Sequence, residues 1–317
     1  MRSSRGADVL RQAARLYYLE GRTQSQVADE LGVSRSNVSR ILAQAREQQI
    51  VEIIIHDPDD TPTREPDLEH AIEERFGLAS AVVLAARADD ALDEVARAAA
   101  LLLRERASEA TTIGISWGRT LQSVATFLDS TPLRPAPRLL PLVGGLGVLD
   151  TLDSGDSVLR AVARKLGARP ERLYAPALVE SAAAQRAFLE QSVIREAIAS
   201  AAEVQVAFVG IGCYGLYSSR HLVNGMRLSA DELDQFLAAD PVGDVCGRFV
   251  SRNGKPLGPP AADRVIGVTF DQLLHIPEVV GVAAGQEKAD GVAAVLRSGV
   301  LKTLVIDATL ARAILAM

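Results

Sequence analysis

TQSQVADELGVSRSNVSRILAQAR, residues Thr23 to Arg46, spells two short helices joined by a tight turn. Thr23 with Gln26 makes a capping box, in which the hydroxyl accepts from a free backbone N–H and the amide side chain reaches back. Val27, Ala28 and Leu31 then share one helical face. Gly32 follows as the residue free to take the left-handed conformation that ends a helix. Ser34 caps a second helix whose inner face carries Val38, Ile41 and Leu42. Small Ala28 and the glycine turn let the two helices meet at a steep angle. That is helix-turn-helix geometry, in which the second helix enters a DNA major groove.

Burying those apolar positions leaves Arg35, Ser36, Asn37, Ser39 and Arg40 outward. Arginine can bond guanine or phosphate, asparagine can pair with adenine, and serine suits phosphate. Gln24 and Ser34, at the starts of the two helices, complete the candidate DNA-binding set. No acidic residue stands between Leu31 and Arg46. The competing reading is an ordinary helix pair with a solvated polar face. The combination of small residue, glycine turn, cap and inner apolar positions favours DNA.

Outward from this stretch, charge is uneven. Residues 1–50 hold 8 Arg and 5 acids, a net +3, while the other 267 residues hold 26 basic and 35 acidic, a net −9. A small basic head on an acidic body is the implied organisation. Aromatic residues are only 4%, too few for a single-strand stacking platform. The two cysteines, Cys213 and Cys246, form neither a disulfide framework nor a zinc pattern, so no metal and no cofactor are expected. With no signal peptide and no apolar run near the roughly 20 residues that span a bilayer, no membrane partner and a cytoplasmic protein are expected.

Leu10, Ala13, Ala14 and Tyr17 place a first helix over 7–20, packed behind the pair. Val51, Ile53 and Ile55 alternate as a strand, one arm of a small wing, followed by His56, to which no role is assigned. Asp57 to Pro66, DPDDTPTREP, carries three prolines and four acids and reads as a linker. The domains are therefore 1–56, a helix-turn-helix head; 57–66, the linker; and 67–317, a larger body. In the body helices alternate with short apolar strands at Ser80–Leu84, Thr111–Ile115, Leu139–Val143, Val204–Gly210, Val265–Val268, Val279–Ala283 and Leu304–Ile306. One of the helices spans Gln185–Ala201. The fold class is α/β, a Rossmann-like parallel sheet covered on both faces, with ligands expected at the carboxyl ends of its strands.

The loops there carry candidate chemistry. Gly114-Ile115-Ser116-Trp117-Gly118-Arg119-Thr120 joins a strand to a helix N-terminus and offers glycines, hydroxyls, a cation and the chain's one tryptophan. Alone, such a turn is more often plain structure than a phosphate site. Gly144-Gly145, Gly210-Ile211-Gly212 and the glycine-rich turn Gly243–Phe249 lie after other strands. Gly281–Lys288 opens a helix with Lys288 in its first turn, where a cation opposes the dipole unless an anion or a salt bridge faces it. Several such loops at one sheet edge make a stronger case than any single one.

Motifs in order along almost the whole chain resemble the SorC/DeoR-like family of sugar-binding bacterial transcriptional regulators, of central glycolytic gene regulator type. They are QSQVADELGVSRSNVSRIL, GISWGRT, LVGG, APALVES, VAFVGIG, GDVCGRF, RVIGVTFDQL, IPEVVGVAAGQEKADGVAAVLRSGV and TLVIDATLARAIL. The resemblance implies a DNA-binding head and an effector and oligomerisation domain similar to glucosamine-6-phosphate deaminase and ribose-5-phosphate isomerase. It implies an operator duplex and a sugar or sugar-phosphate effector as partners, and assembly as a homodimer or homotetramer. It places phosphate at Gly118, Thr120 and Lys288, with Gly145, Glu180 and Asp244 near the sugar; Gly114, Ser116, Trp117, Arg119, Gly144, Gly210, Gly212 and Gly285 complete the effector set. Two departures stand out. Ala284-Gly285 replaces a frequent glycine pair. The first lysine is Lys165, so no lysine near Leu139–Gly145 can form a Schiff base. Two alternatives remain: a regulator sensing an unphosphorylated polyol, and an isomerase or deaminase. The enzyme would need a general base beside the sugar, and the four histidines, His56, His70, His221 and His275, are poorly placed to supply one. The expectation is a regulator without catalysis.

Overall fold

The computed structural model describes residues 3–48, 50–51, 63–85, 90–146 and 155–317. The chain divides into two compact units, Met1–Thr61 and Pro62–Met317.

In the first unit α1 (Ser3–Ala14) runs on through a π-turn at Arg15–Leu19 and is followed by α2 (Gln24–Leu31) and α3 (Arg35–Glu47). The Thr23 capping box is complete: the Gln26 amide N–H donates to Thr23 Oγ1 at 3.3 Å, and Gln26 Oε1 accepts from the Thr23 N–H at 2.9 Å. Gly32 is left-handed at φ 64°, and Ser34 Oγ accepts from the Asn37 N–H at 3.3 Å. Ala13, Leu16, Val27, Ala28, Val38 and Leu42 bury one another as the core. Past Val51, which lies in a bend, the expected wing strand, His56 and the start of the linker fall on residues 52–62, outside the described residues.

The second unit begins with α4 (Pro66–Phe76) and β1 (Ser80–Leu84), followed by α5 (Ala91–Glu109), β2 (Thr112–Ile115), α6 (Arg119–Phe127) and β3 (Arg138–Pro141). Next come α7 (Gly155–Leu166), β4 (Arg169–Pro170), α8 (Ala182–Glu190), α9 (Ser192–Ala202), β5 (Val206–Cys213), α10 (Tyr217–Gly225) and α11 (Ala230–Ala238). β6 (Pro241–Val245), β7 (Arg248–Ser251), α12 (Phe270–His275), β8 (Glu278–Val282), α13 (Ala289–Arg297), β9 (Thr303–Asp307) and α14 (Ala308–Leu315) complete it. The main sheet runs β1-β9-β8-β5-β2-β3-β4, every neighbouring pair parallel. Period-two alternation feeds two buried layers. On β5, Val206 and Phe208 join one layer, and Ala207, Val209 and Ile211 the other. After β2 the chain moves out to β3 and β4, then returns to β5 on the other flank of β2. That reversal opens a crevice at the carboxyl ends of β2 and β5.

Three expectations are corrected. The glycine-rich stretch Gly243–Phe249 is not a loop but the centre of a hairpin: β6 pairs antiparallel with β7 and with the far end of β5. Its two turn residues, Cys246 and Gly247, both have positive φ, 52° and 73°, as a two-residue hairpin turn demands. Val265–Val268 is no strand of the sheet; Val265 and Gly267 make only isolated bridges, to Leu178 and Val143. The helix expected over Gln185–Ala201 is two helices, because Gln191 is extended (φ −68°, ψ 124°), closing α8 and opening α9. Helix α10 was not anticipated. Among the described residues no helix is long and apolar enough to cross a membrane.

Candidate functional site

On α3 the buried residues are Val38, Leu42 and Ala45, spaced four and three apart, and this spacing decides which face is free. Arg35, Ser36, Ser39 and Arg40 are exposed on that face, and Asn37 is half-buried beside them. Ser34 is engaged with its own helix, capping Asn37 and lying 3.0 Å from Ser36 Oγ. Gln24 is half-buried as the first residue of α2. The first carboxylate of α3 is its last residue, Glu47. A rigid helix thus presents two guanidiniums, hydroxyls and an amide, the groups that contact phosphates and base edges.

In the second unit, the crevice between β2 and β5 holds a small cavity of about 40 Å³. One wall is Ser116, Trp117, Gly118, Arg119 and Thr120; the others come from Gly210–Gly212, Tyr217, Asp244, Cys246, Gly247 and Lys288. Its room matches a few waters or one small anionic head group. Gly118 precedes α6 at φ 122°, which L side chains rarely adopt, and a Cβ there would meet nothing within 4 Å. The backbone over this helix start is therefore open to a ligand. Among the described residues no side chain caps α6, which leaves its N-terminal dipole facing the cavity.

Lys288 is the central group. It is only 7% exposed, and its Nζ donates to Thr120 Oγ1 and to the Ile211 carbonyl, both at a long 3.4 Å. Among the described residues no carboxylate oxygen lies within 4.0 Å of it. Burial, with Arg119 nearby, pulls its pKa down to about 8, against the opposing pull of Glu287 and Asp244. A second buried cation shows the contrast. Arg248 lines a larger, mostly apolar concavity of about 560 Å³ beside α8, α9 and α12. Its guanidinium donates to four carbonyls, those of Ala262, Val265, Gly267 and Val268, at 2.9–3.3 Å. Arg248 is satisfied by the fold; Lys288 is held by two weak neutral contacts.

Asp244, 6% exposed, accepts a hydrogen bond from the fully buried Ser219 hydroxyl. Burial pushes its pKa up to about 6, against the pull of Ser219, the Gly247 amide and Lys288. Gly212 has no room for a side chain, since a Cβ would overlap the Asp244 carboxylate and Ser219 Oγ. Ser116 Oγ accepts from the Gly210 N–H at 3.2 Å, tying β2 to β5. The Arg119 guanidinium stacks on the Tyr217 ring at 3.8 Å, so it lines the cavity rather than pointing away.

Nine expected effector residues thus converge: Ser116, Trp117, Gly118, Arg119, Thr120, Gly210, Gly212, Asp244 and Lys288. Five do not line the cavity. Gly114 lies within β2, where a Cβ would strike Leu142 and Val204. The Gly144 carbonyl accepts from the Trp117 indole N–H at 2.9 Å, and Gly145 lines a separate cavity of about 230 Å³ past the end of β3. Gly285 donates its N–H to the buried Asp307 carboxylate at 2.8 Å. Glu180 is exposed and sits 4.0 Å from Arg227. Missed from the sequence were Tyr217, Ser219 and Cys246. Tyr217 was missed because β5 runs three residues past Gly210, so the loop that matters starts later. The Cys246 thiol is pushed up to about 12 by burial and is inert. Among the described residues no cluster of three or more metal-ligating side chains occurs.

Residues 60–316 match the family model of a sugar-binding domain (Sugar-bind), and residues 9–48 match that of sigma-70 region 4. The chain is 29% identical over 306 residues to the sorbitol operon regulator of Klebsiella pneumoniae, covering 93% of each chain. It is 28% identical over 316 residues to transcriptional regulator LsrR of an Enterobacter species (strain 638), covering 98% of this chain and 93% of that one. The crystal structure of the full-length sorbitol operon regulator SorC from Klebsiella pneumoniae matches with a TM-score of 0.72 at 27% identity, over 98% of this chain and 99% of that one. A helix-turn-helix head, a parallel-sheet body with a strand-end cavity and these matches lead to one assignment: the chain belongs to the SorC/DeoR-like family of transcriptional regulators with a sugar-binding domain.

Proposed function

We propose that this regulator reads its operator through α3 and is controlled by a phosphorylated sugar whose phosphate enters the crevice between β2 and β5. The observation that carries the ligand reading is Lys288: a buried ammonium with no carboxylate partner among the described residues, beside an uncapped helix start, Thr120 and Arg119. A phosphate monoester supplies the missing counter-charge and accepts from the α6 amides. The 40 Å³ cavity takes only the head group, so the sugar extends outward from it. Asp244 faces the cavity as an acceptor for a ligand hydroxyl.

On the DNA side, Arg35 and Arg40 supply phosphate or guanine contacts, and Ser36, Asn37 and Ser39 the remaining contacts to the operator. A head of net +3 on an acidic body binds weakly as a single copy, so the working form is a homodimer or homotetramer on paired half-sites. We place the protein in the cytoplasm, and as a receptor rather than an enzyme, since among the described residues no histidine lines the cavity and its carboxylate is already bonded to Ser219. An unphosphorylated polyol stands second, favoured by the name of the sorbitol operon regulator it resembles.

A thermal-shift panel of sugars and their phosphates separates the two, because a ligand that binds only the native state stabilises it by about 2.7 kcal/mol at a hundred times its Kd. The expected result is a shift with a sugar phosphate that is lost in Thr120→Ala and Lys288→Ala. An undiminished shift in both variants, or a shift with the free polyol alone, refutes the phosphate site.

A further inference from the structure

Tyr217 opens α10 with a positive φ of 43° and stands at the cavity mouth, 45% exposed. Three charged side chains surround its ring. Arg119 lies over the face at 3.8 Å, the Lys288 ammonium is 5.8 Å from the centroid, and the phenolic hydroxyl donates to Glu287 Oε1 at 2.7 Å. The Glu287 carboxylate also folds back onto Gly285, where a Cβ would sit 2.5–2.6 Å from both its oxygens. An acid adjoining the two cations of an anion pocket is therefore held at a fixed place, tethered to a phenol and not to either cation. Among the described residues Glu287 makes no ion pair with Arg119 or Lys288 within 4.0 Å.

We propose that Tyr217 and Glu287 form the specificity element of this pocket. The Glu287 carboxylate lowers the attraction of Arg119 and Lys288 for any small anion, so free phosphate alone fills the site poorly and a full phosphorylated ligand must add contacts. The Tyr217 hydroxyl is the positioning group: it parks the carboxylate away from the cations and leaves them open to a dianionic head group. Without that bond the Glu287 carboxylate is free to pair with the adjoining cations, to which it is attracted by its opposite charge. This inference rests on the anion reading of the pocket given above.

The test is inorganic phosphate binding by the full-length chain, measured by calorimetry on wild type, Glu287→Gln, Tyr217→Phe and the double variant. Both side chains are exposed enough to substitute without emptying a core. Glu287→Gln is expected to bind phosphate about tenfold more tightly, the size of one removed like charge at partly screened range. Tyr217→Phe is expected to bind more weakly than wild type, because the freed carboxylate swings onto the cations. The double variant is expected to match Glu287→Gln. A merely structural tyrosine would weaken binding equally in both backgrounds, and that result overturns the proposal. Unchanged or weaker binding in Glu287→Gln overturns it too. Phosphate binding by none of the four proteins overturns the anion reading itself, and this proposal with it.

Discussion

The recognition helix and the strand-end pocket both offer cations to an anion, but in opposite surroundings. Arg35 and Arg40 stand in water on a helix surface; Lys288 is buried at a sheet edge with two long, neutral hydrogen bonds. An exposed guanidinium is always charged, and its attraction to a phosphate backbone is weakened mainly by salt. A buried ammonium is shielded from salt, and its charge depends on pH because burial has already moved its pKa. The head should therefore report ionic strength and the pocket should report pH.

The sharpest way to break this division is Val38→Asp, which buries an unpaired charge at a fully enclosed position of the head. We expect the head to lose on the order of 3–5 kcal/mol and operator binding to vanish in an anisotropy titration, while the body keeps its ligand-induced thermal shift. Lys288→Ala is the counterpart and should remove the sugar-phosphate shift, about 2.7 kcal/mol at a hundred times Kd. Arg35→Ala comes next. Operator affinity should fall by about 1–3 kcal/mol if it reads a base, whereas a phosphate contact would reduce the salt slope by about one.

A pH series sharpens the contrast further. With the Lys288 pKa at about 8, phosphate affinity should decline above that pH by up to about 1.4 kcal/mol per unit, while Arg-mediated operator binding stays level over the same range. The folded pKa lies below the ordinary 10.5, so the ligand-free protein gains stability as pH rises from about 8 toward 10.5. A bound phosphate stabilises the ammonium and should cancel that gain, which thermal melts at pH 7 and 10 with and without ligand would show. Smallest is Thr23→Ala, which deletes the capping box and should cost about 1 kcal/mol of head stability in a denaturant titration.

How much was legible from sequence also divides along the same line. The head was readable because its determinants are local: Thr23 with Gln26, Gly32, and Ser34 with the Asn37 amide act within one turn of chain. The parallel sheet was readable from its apolar strands. The hairpin was not, because Pro241-Val242-Gly243-Asp244-Val245 has poor strand propensity and forms by pairing with β7 and with Ile211–Cys213. The break at Gln191 was hidden for the opposite reason, since glutamine favours helices and nothing local marks the stop. In the pocket, the GISWGRT turn and Lys288 carried local signals of glycine and misplaced charge. The Tyr217–Glu287 bond joins residues 70 positions apart, and only the fold brings them together. Glu180, placed near the sugar by family resemblance, lies exposed beside Arg227.

Occupancy of the crevice between β2 and β5 is expected to change how tightly α3 holds DNA. The direct measurement is the operator Kd of full-length wild type and Lys288→Ala, with and without each sugar phosphate that shifts the wild-type melting temperature. One such compound is predicted to change the wild-type operator Kd by about 5–150-fold, operator DNA to change that compound's Kd by the same factor, and Lys288→Ala to abolish both. An operator Kd that stays constant with every sugar phosphate that binds the protein would show that the crevice does not control α3.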